Sequence, residues 1–307
     1  MREVVPIMRN WLRIARLAAL SGGLLWQGLA HAAPTIHVLV SEPAGIYQAA
    51  AESLTRELNR HAGDWKINTL TLDRYASQDG DLTIAVGTRA LEAALAQPGR
   101  PVLSLLVPRL TYERLASGKA QVSALYLDQP LPRQLQVLGL ALPGLKRVGV
   151  PLGPISQAQQ PSLQRAAKAT GIQVGSAQIH RGQDLHAALD GLAAESQAFV
   201  LLPDPVVAQR STLQNLFLHT YRLKKPVLAY SAPLAQSGAL LALYSTPEQL
   251  GEEAATWVRE SWGSEFRLGA PRHPRRFTVA VNRTVARSLE IDLPGEAALT
   301  RRLEAMQ

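Results

Sequence analysis

The chain has no cysteine, and aromatic side chains make up only 5% of its 307 residues. The first absence excludes disulfide scaffolds, thiol catalysis, thiolate zinc sites, Fe–S clusters and a lipid-modified terminal cysteine. The second leaves no aromatic run interleaved with Lys or Arg of the kind that stacks bases, so nucleic acid is not an expected partner. Also missing are Gly-x-Ser-x-Gly, His-Glu-x-x-His, a phosphate loop ending Gly-Lys-Ser/Thr, and Gly-x-Gly-x-x-Gly after the first apolar run. No enzymatic activity and no cofactor are therefore expected. The seven histidines are scattered. His180 and His186 flank Asp184, but two histidines around a loop read as solvated, so no metal site is expected. His37, on the first apolar run, reads as a satisfied core or edge histidine.

What is present is apolar. A 47% hydrophobic content excludes disorder, and 307 residues suffice for one large or two medium domains with a sizeable core. Residues 1–32 read as a cleaved signal peptide: Arg2, Arg9, Arg13 and Arg16, a mostly apolar Leu17–Leu29, then Ala30-His31-Ala32 fitting a small-x-small cleavage rule. The apolar stretch is shorter than the roughly 20 residues that span a bilayer and is interrupted by Ser21, Gly22, Gly23 and Gln27. The expected localisation is periplasmic, by secretion through this segment.

Beyond it, apolar runs bounded by turn residues alternate with segments of helical period. The strands read from these runs are Ile36–Val40, Ile67–Leu72, Leu82–Val86, Val102–Leu106, Ala124–Leu127, Arg147–Pro151, Gln173–Ala177, Ala198–Leu202, Val227–Tyr230, Leu240–Leu243 and Phe277–Val281. Tyr47–His61, Leu91–Gln97, Arg133–Ala141, Pro161–Thr170, Leu185–Glu195, Ser211–Arg222 and Glu248–Trp262 read as helices. Strands without polar alternation imply parallel sheets covered on both faces, hence an α/β, Rossmann-like, doubly wound architecture. The pattern restarts at Arg147, after the proline-rich 130–132, so two lobes are expected, with a cleft between their strand-end loops.

Those loops hold the candidate ligand-binding residues. Gly87-Thr88-Arg89 runs from a strand into a helix start, offering a hydroxyl, free N–H groups and a guanidinium suited to an anion; Thr88 serves equally as a helix cap. The loops holding Ser156, Asp204, and Tyr230 with Ser231 add hydroxyls, a carboxylate and a ring, the mixture of a small-molecule pocket or of ordinary turn chemistry.

Leu142-Pro143-Gly144-Leu145-Lys146-Arg147-Val148-Gly149-Val150, Lys225-Pro226-Val227-Leu228-Ala229, Gly238-Ala239-Leu240 with Gly251, and Phe277–Asn282 with Thr284, Ala286 and Leu293-Pro294 resemble the ABC transporter substrate-binding protein family. The match runs roughly from Thr83 to Pro294. The resemblance implies the type I periplasmic binding protein fold: two Rossmann-like lobes joined by three crossovers, closing on a ligand for delivery to an inner-membrane ABC permease. It implies a first lobe of 33–128 plus 246–275 and a second of 129–245 plus 276–307. Three places depart from the family pattern. Gly87-Thr88-Arg89 replaces Gly-Thr-Pro, Ser123-Ala124-Leu125-Tyr126 puts a large ring where a small hydroxyl is common, and Gly153-Pro154 replaces Asn-Pro, while Pro203-Asp204 is kept.

Two functions follow as expectations. The first is a periplasmic solute-binding protein, expected to be a monomer, that captures a small amino-acid-like or other polar or anionic molecule. Thr88 and Arg89 would hold the anionic end, Ser156 and Asp204 the polar or amino end, and Tyr126 or Tyr230 would wall the pocket. The second is a ligand-free interaction module of the envelope on the same fold. Of the formal charge of +8, residues 1–32 carry +3, and the remaining +5 falls unevenly across the expected lobes: 13 basic against 15 acidic residues in the first, 15 against 8 in the second. Such asymmetry suits either a solubilising surface or docking on an acidic partner.

Overall fold

The computed structural model describes residues 33–60, 65–75, 79–97, 99–180, 185–263 and 265–307. The expected export segment 1–32, and Asp184 between the two histidines, lie outside the described residues. Every strand falls within one unit, Thr35–Gln307.

Its first half gives β1 (Thr35–Val40), α1 (Gly45–Arg60), β2 (Lys66–Leu70), α2 (Leu72–Tyr75), β3 (Leu82–Val86), α3 (Thr88–Leu95), β4 (Val102–Leu105), α4 (Arg109–Ala116) and β5 (Val122–Leu125). These strands form a parallel sheet in the order β2-β1-β3-β4-β5. The chain continues as α5 (Leu131–Ala141), β6 (Arg147–Leu152), a 3-10 turn (Ser156–Gln159), α6 (Gln160–Thr170), β7 (Gln173–Gln178), α7 (Leu185–Ala193), β8 (Ala198–Val200), α8 (Arg210–Arg222), β9 (Val227–Ala229), α9 (Ala232–Ser237), β10 (Leu241–Tyr244), α10 (Pro247–Ser261), β11 (Thr278–Val281), α11 (Arg283–Ser288) and α12 (Glu296–Glu304). The second sheet runs β11-β10-β9-β8-β6-β7, parallel except for β11 against β10. Without β11, the second sheet repeats the order of the first, a doubly wound sheet whose switch point falls between its first and third strands.

The burial pattern explains why the central strands were legible as unbroken apolar runs. Ile36, Val38, Ile84 and Leu103 pack on one side against Leu54 and Leu58 of α1 and Ala254 and Val258 of α10, while Leu39, Ala85 and Ala124 pack on the other against Leu91 and Tyr112. The second sheet is sandwiched likewise, with Val148, Val150 and Val200 facing α5, α6 and α12, and Phe199, Leu201 and Val227 facing α7 and α8. The edge strands β2 and β7 are covered less and read as more polar. Each expected strand overlaps an observed one, giving an α/β two-lobe fold.

Three segments carry the chain between the sheets. The first follows β5; the second is Ser245–Thr246, where a Thr246–Gln249 capping box starts α10 against α1 of the first sheet. The third returns through Arg272, whose backbone pairs beside Leu125 of β5, to β11 in the second sheet. A buried polar network ties the three together. Gln129 donates to Ser245 Oγ (2.8 Å), Ser245 donates to the Arg276 carbonyl, and Arg133 donates to Gln129 Oε1 (2.7 Å) and the Pro274 carbonyl (2.8 Å).

His37 of β1 departs from its expected role. It is fully buried, but neither ring nitrogen has a hydrogen-bond partner among the described residues, and Gly80 lies against the ring. Burial holds the imidazole below its ordinary pKa, assisted by Arg100 and Lys66 and opposed by Asp79 and Asp81. The native state then binds fewer protons than the unfolded chain. This contribution to stability is full above the unfolded value of about 6.5 and is lost as pH falls through the depressed folded value. His37→Leu, which removes two unpaired buried nitrogens, is expected to raise stability at pH 7 by about 1 kcal/mol and to reduce the loss between pH 7 and 5. Urea denaturation at the two pH values reads both effects; an unchanged pH slope counts against this account.

Candidate functional site

The carboxyl ends of both sheets open onto a crevice beside the first crossover. One cavity there, of about 210 Å³, is walled by Pro108, Leu110 and Thr111 from the β4–α4 turn and by Ile155, Pro203, Asp204 and Tyr230 from the loops after β6, β8 and β9. A second, of about 410 Å³, lies against the hinge between Arg109, the 128–132 crossover, His273 and the α6 face bearing Ser162, Arg165, Ala166 and Ala169. Asp128 and Gln159 line both.

Asp204 and Tyr230, expected at the site, border the smaller cavity. Asp204 is 2% exposed, and its carboxylate organises the loop behind the wall. Oδ2 accepts the N–H groups of Ile155 (3.0 Å) and Ser156 (2.8 Å), and Oδ1 accepts that of Val206 (2.9 Å). A Cβ at Gly153 would fall inside this carboxylate, which is why the residue after β6 has no side chain. Ser156 is fully buried, and its hydroxyl accepts the Gly153 N–H at 2.8 Å. It shapes the turn and does not line either cavity. Burial pushes the Tyr230 phenol up to about 12, with Asp128 and Asp204 adding repulsion of the phenolate, so it stays a hydroxyl donor at neutral pH.

Tyr126 does not wall the crevice. Its ring is 8% exposed and sits in edge-to-face contacts with Tyr112 (5.7 Å) and His273 (5.1 Å), inside the first-sheet core. Gly87 takes φ 96° at the β3–α3 turn, where Ser41 and the Tyr47 ring occupy the space a Cβ would need. Thr88 is half-buried and Arg89 exposed, and neither lines the two cavities. The hydroxyl serving the start of α3 is that of Ser41, which accepts the Ala90 N–H at 3.0 Å. Ser231 is half-buried and precedes α9 as its N-cap, without a side-chain cap bond.

The groups the strand-end argument missed lie on the crossovers and at the starts of α4 and α6. Asp128 accepts the Arg109 N–H, and its carbonyl takes the His273 Nδ1–H at 2.7 Å. Burial raises the Asp128 carboxyl above its ordinary range, against the Arg109 N–H and the nearby cations, and burial lowers the His273 imidazole. Arg109 pairs with Glu113 at 2.7 Å, and Arg165 donates to Ser162 Oγ at 2.8 Å. The signal that could have found Asp128 and Gln129 is their place immediately before Pro130, at the point where the strand–helix pattern restarts.

Among the described residues, no group of three His, Asp or Glu side chains could hold a metal ion. The His186 ring lies tilted against that of His219, with centroids 4.7 Å apart, and His219 pairs with Asp190 at 2.8 Å, while His180 is exposed. No described helix is long and apolar enough to cross a membrane.

No curated protein matches the chain. Solved structures do. A conserved domain protein from Vibrio cholerae is 19% identical, with 89% of this chain and 98% of that one covered at a TM-score of 0.60. A ligand-free, open substrate binding protein with adhesive properties from Clostridium difficile is 18% identical, with 85% and 96% covered at 0.67. An ABC domain in complex with L-Trp from Streptococcus pneumonia is 15% identical, with 87% and 98% covered at 0.60. At these identities the likeness establishes the fold, that of type I periplasmic binding proteins. The family model described as ABC transporter substrate binding protein matches residues 69–301, so the chain belongs to that family and is a two-lobe binding protein rather than an enzyme.

Proposed function

We propose that this protein is the periplasmic solute-binding component of an ABC-type uptake system, exported by the segment 1–32 and handing its ligand to an inner-membrane permease. The ligand is a small amino-acid-like or other polar or anionic molecule, held between a first lobe of 33–128 plus 246–275 and a second of 129–245 plus 276–307. The protein acts as a monomer, and the chemistry is capture by hinge closure with no bond broken.

The observation that carries this reading is the crevice itself: a cavity at the carboxyl ends of both sheets, walled from both sides and placed beside three crossovers. Asp204 and Tyr230 supply its polar wall, a carboxylate oxygen with one N–H bond and a phenol kept protonated. Gly87, Thr88, Arg89 and Ser231 stand at neighbouring strand ends, and Ser156 and Tyr126 support the walls from within. The L-Trp carried by the Streptococcus protein agrees with an amino-acid-like ligand.

The test is mass spectrometry of what copurifies with the protein from the periplasmic fraction, followed by isothermal titration of ligand-stripped protein with that compound and with a panel of amino acids. One-to-one binding that Tyr230→Ala weakens tenfold or more is the expected result. No copurifying solute and no heat from any compound would favour a ligand-free module instead.

A further inference from the structure

The hinge cavity has a lining unlike that of the crevice cavity beside it. Its charged groups are two guanidiniums, Arg109 at the start of α4 and Arg165 on α6, against one carboxyl, Asp128, already engaged by the Arg109 N–H. Arg109 gives one guanidinium nitrogen to Glu113 and Arg165 one to Ser162, which leaves further N–H donors on each fork. The rest of the wall is largely apolar, formed by Leu131, Pro132, Ala166, Ala169 and Leu202.

Gln159 supplies an independent observation. It is 6% exposed and lines both cavities, yet its side-chain amide has no hydrogen-bond partner among the described residues. The residue is buried but its amide atoms keep contact with the cavity space, so a donor and an acceptor stand open there to whatever occupies the cavity. Gln134, also buried, lines the same cavity and donates its side-chain amide N–H to the Gln129 carbonyl at 2.9 Å. A cavity combining an apolar wall, two arginines approaching from different sheets and an unpaired amide matches a molecule with a short hydrocarbon stem and an anionic head.

We infer that the hinge cavity is a second binding site, for a small aliphatic carboxylate whose head lies between Arg109 and Arg165, within reach of the Gln159 amide, and whose stem lies on Leu131, Ala166 and Leu202. Arg109 follows β4 of the first sheet and Arg165 lies on a helix packed on the second, so an occupant bridges the two sides of the hinge. The two cavities share Asp128 and Gln159, whereas Arg109 and Arg165 line the hinge cavity and not the crevice cavity, so Arg165 tells the two sites apart.

Titration calorimetry of the purified protein with hexanoate, and with hexanamide as its uncharged counterpart, tests this. Hexanoate is expected to bind one-to-one and at least tenfold more tightly than hexanamide. Gln159→Leu and Arg165→Gln are each expected to weaken hexanoate tenfold or more. Arg222→Gln, which removes the same charge from an exposed position on α8, is expected to leave it within twofold. Arg165 is exposed, so its variant folds even if Gln159→Leu does not. No saturable binding of hexanoate, equal binding of hexanamide, or hexanoate binding unmoved by Arg165→Gln overturns the site and leaves the crevice reading intact. A crevice that holds no solute leaves this titration unaffected.

Discussion

Gly251→Ala is expected to destabilise the protein by about 3 kcal/mol, although alanine in place of glycine within a helix ordinarily gains up to about 1 kcal/mol. The sign reverses because Gly251, buried in α10, lies on the backbone of α1. A Cβ there would stand 2.5 Å from the Ala50 carbonyl oxygen, 2.8 Å from the Leu54 nitrogen and 2.9 Å from the Ser53 Cβ. Side chains can rotate away from an added methyl, but helix backbone cannot, which places this substitution at the upper end of overpacking costs. The same close approach lets Ser53 Oγ donate to the Glu248 carbonyl at 3.1 Å, so a shift that admits the methyl also breaks that bond. Gly191→Ala on α7 is the internal control, since no atom lies within 4 Å of a Cβ there, and a gain of about 0.5–1 kcal/mol is expected. Urea midpoints of the two variants against the parent decide the matter. A stabilised Gly251→Ala would mean that α1 and α10 are farther apart than described. The consequence is functional as well as structural, because α10 is the helix by which the chain returns to the first sheet between the second and third crossovers.

Why the fold was legible follows from where each segment sits. A strand covered on both faces must be apolar at every position, so β1, β3, β6 and β8 announced themselves as runs such as Val38-Leu39-Val40 and Phe199-Val200-Leu201. Long helices with one covered face, α1 and α10 among them, showed the matching period. Helices α4, α11 and α12 went unread for the opposite reason. Arg109–Ala116 buries only Tyr112 and Ala116, Arg283–Ser288 only Ala286, and Glu296–Glu304 only Leu299 and Leu303, too few positions to establish a period.

The site was less legible, since its chemistry depends on partners far along the chain. Position at a strand end draws attention to Asp204 and Tyr230, which border the crevice cavity, but nothing local distinguishes a serine facing a cavity from one facing its own turn. Ser156 is consumed by Gly153 and by Asp204, 48 residues away. Tyr126 is consumed by Tyr112 and by His273 on a distant crossover. Thr88 gave up its expected capping role to Ser41, 49 residues before the N–H that the serine receives. Conversely, Asp128, Gln159 and His273 sit in segments with no helix or strand period, so pattern alone could not bring them to one cavity.

The second large effect separates two roles for Asp204. Asp204→Ala is expected to cost about 4 kcal/mol or more in the absence of any ligand, because three backbone N–H groups lose an ionised acceptor at a 2% exposed position. Hydrogen bonds to a charged acceptor are worth about 1.5–3 kcal/mol each, and water cannot readily replace a carboxylate walled by Ile155, Ser156 and Val206. Asp204→Asn should lie between the parent and the alanine variant, since one amide oxygen can still accept but the amide nitrogen turns a donor toward a donor. Gly153→Ala approaches the same loss from the other side, by driving a Cβ into the carboxylate. Were Asp204 there only to meet a ligand, Asp204→Ala would leave the unliganded protein as stable as the parent, and Gly153→Ala would cost far less. Urea denaturation of all three ligand-stripped variants distinguishes the cases. The family position that Pro203-Asp204 preserves would then do its work from behind the wall: the carboxylate fixes the 3-10 turn that carries Gln159, and through that turn it sets the shape of both cavities.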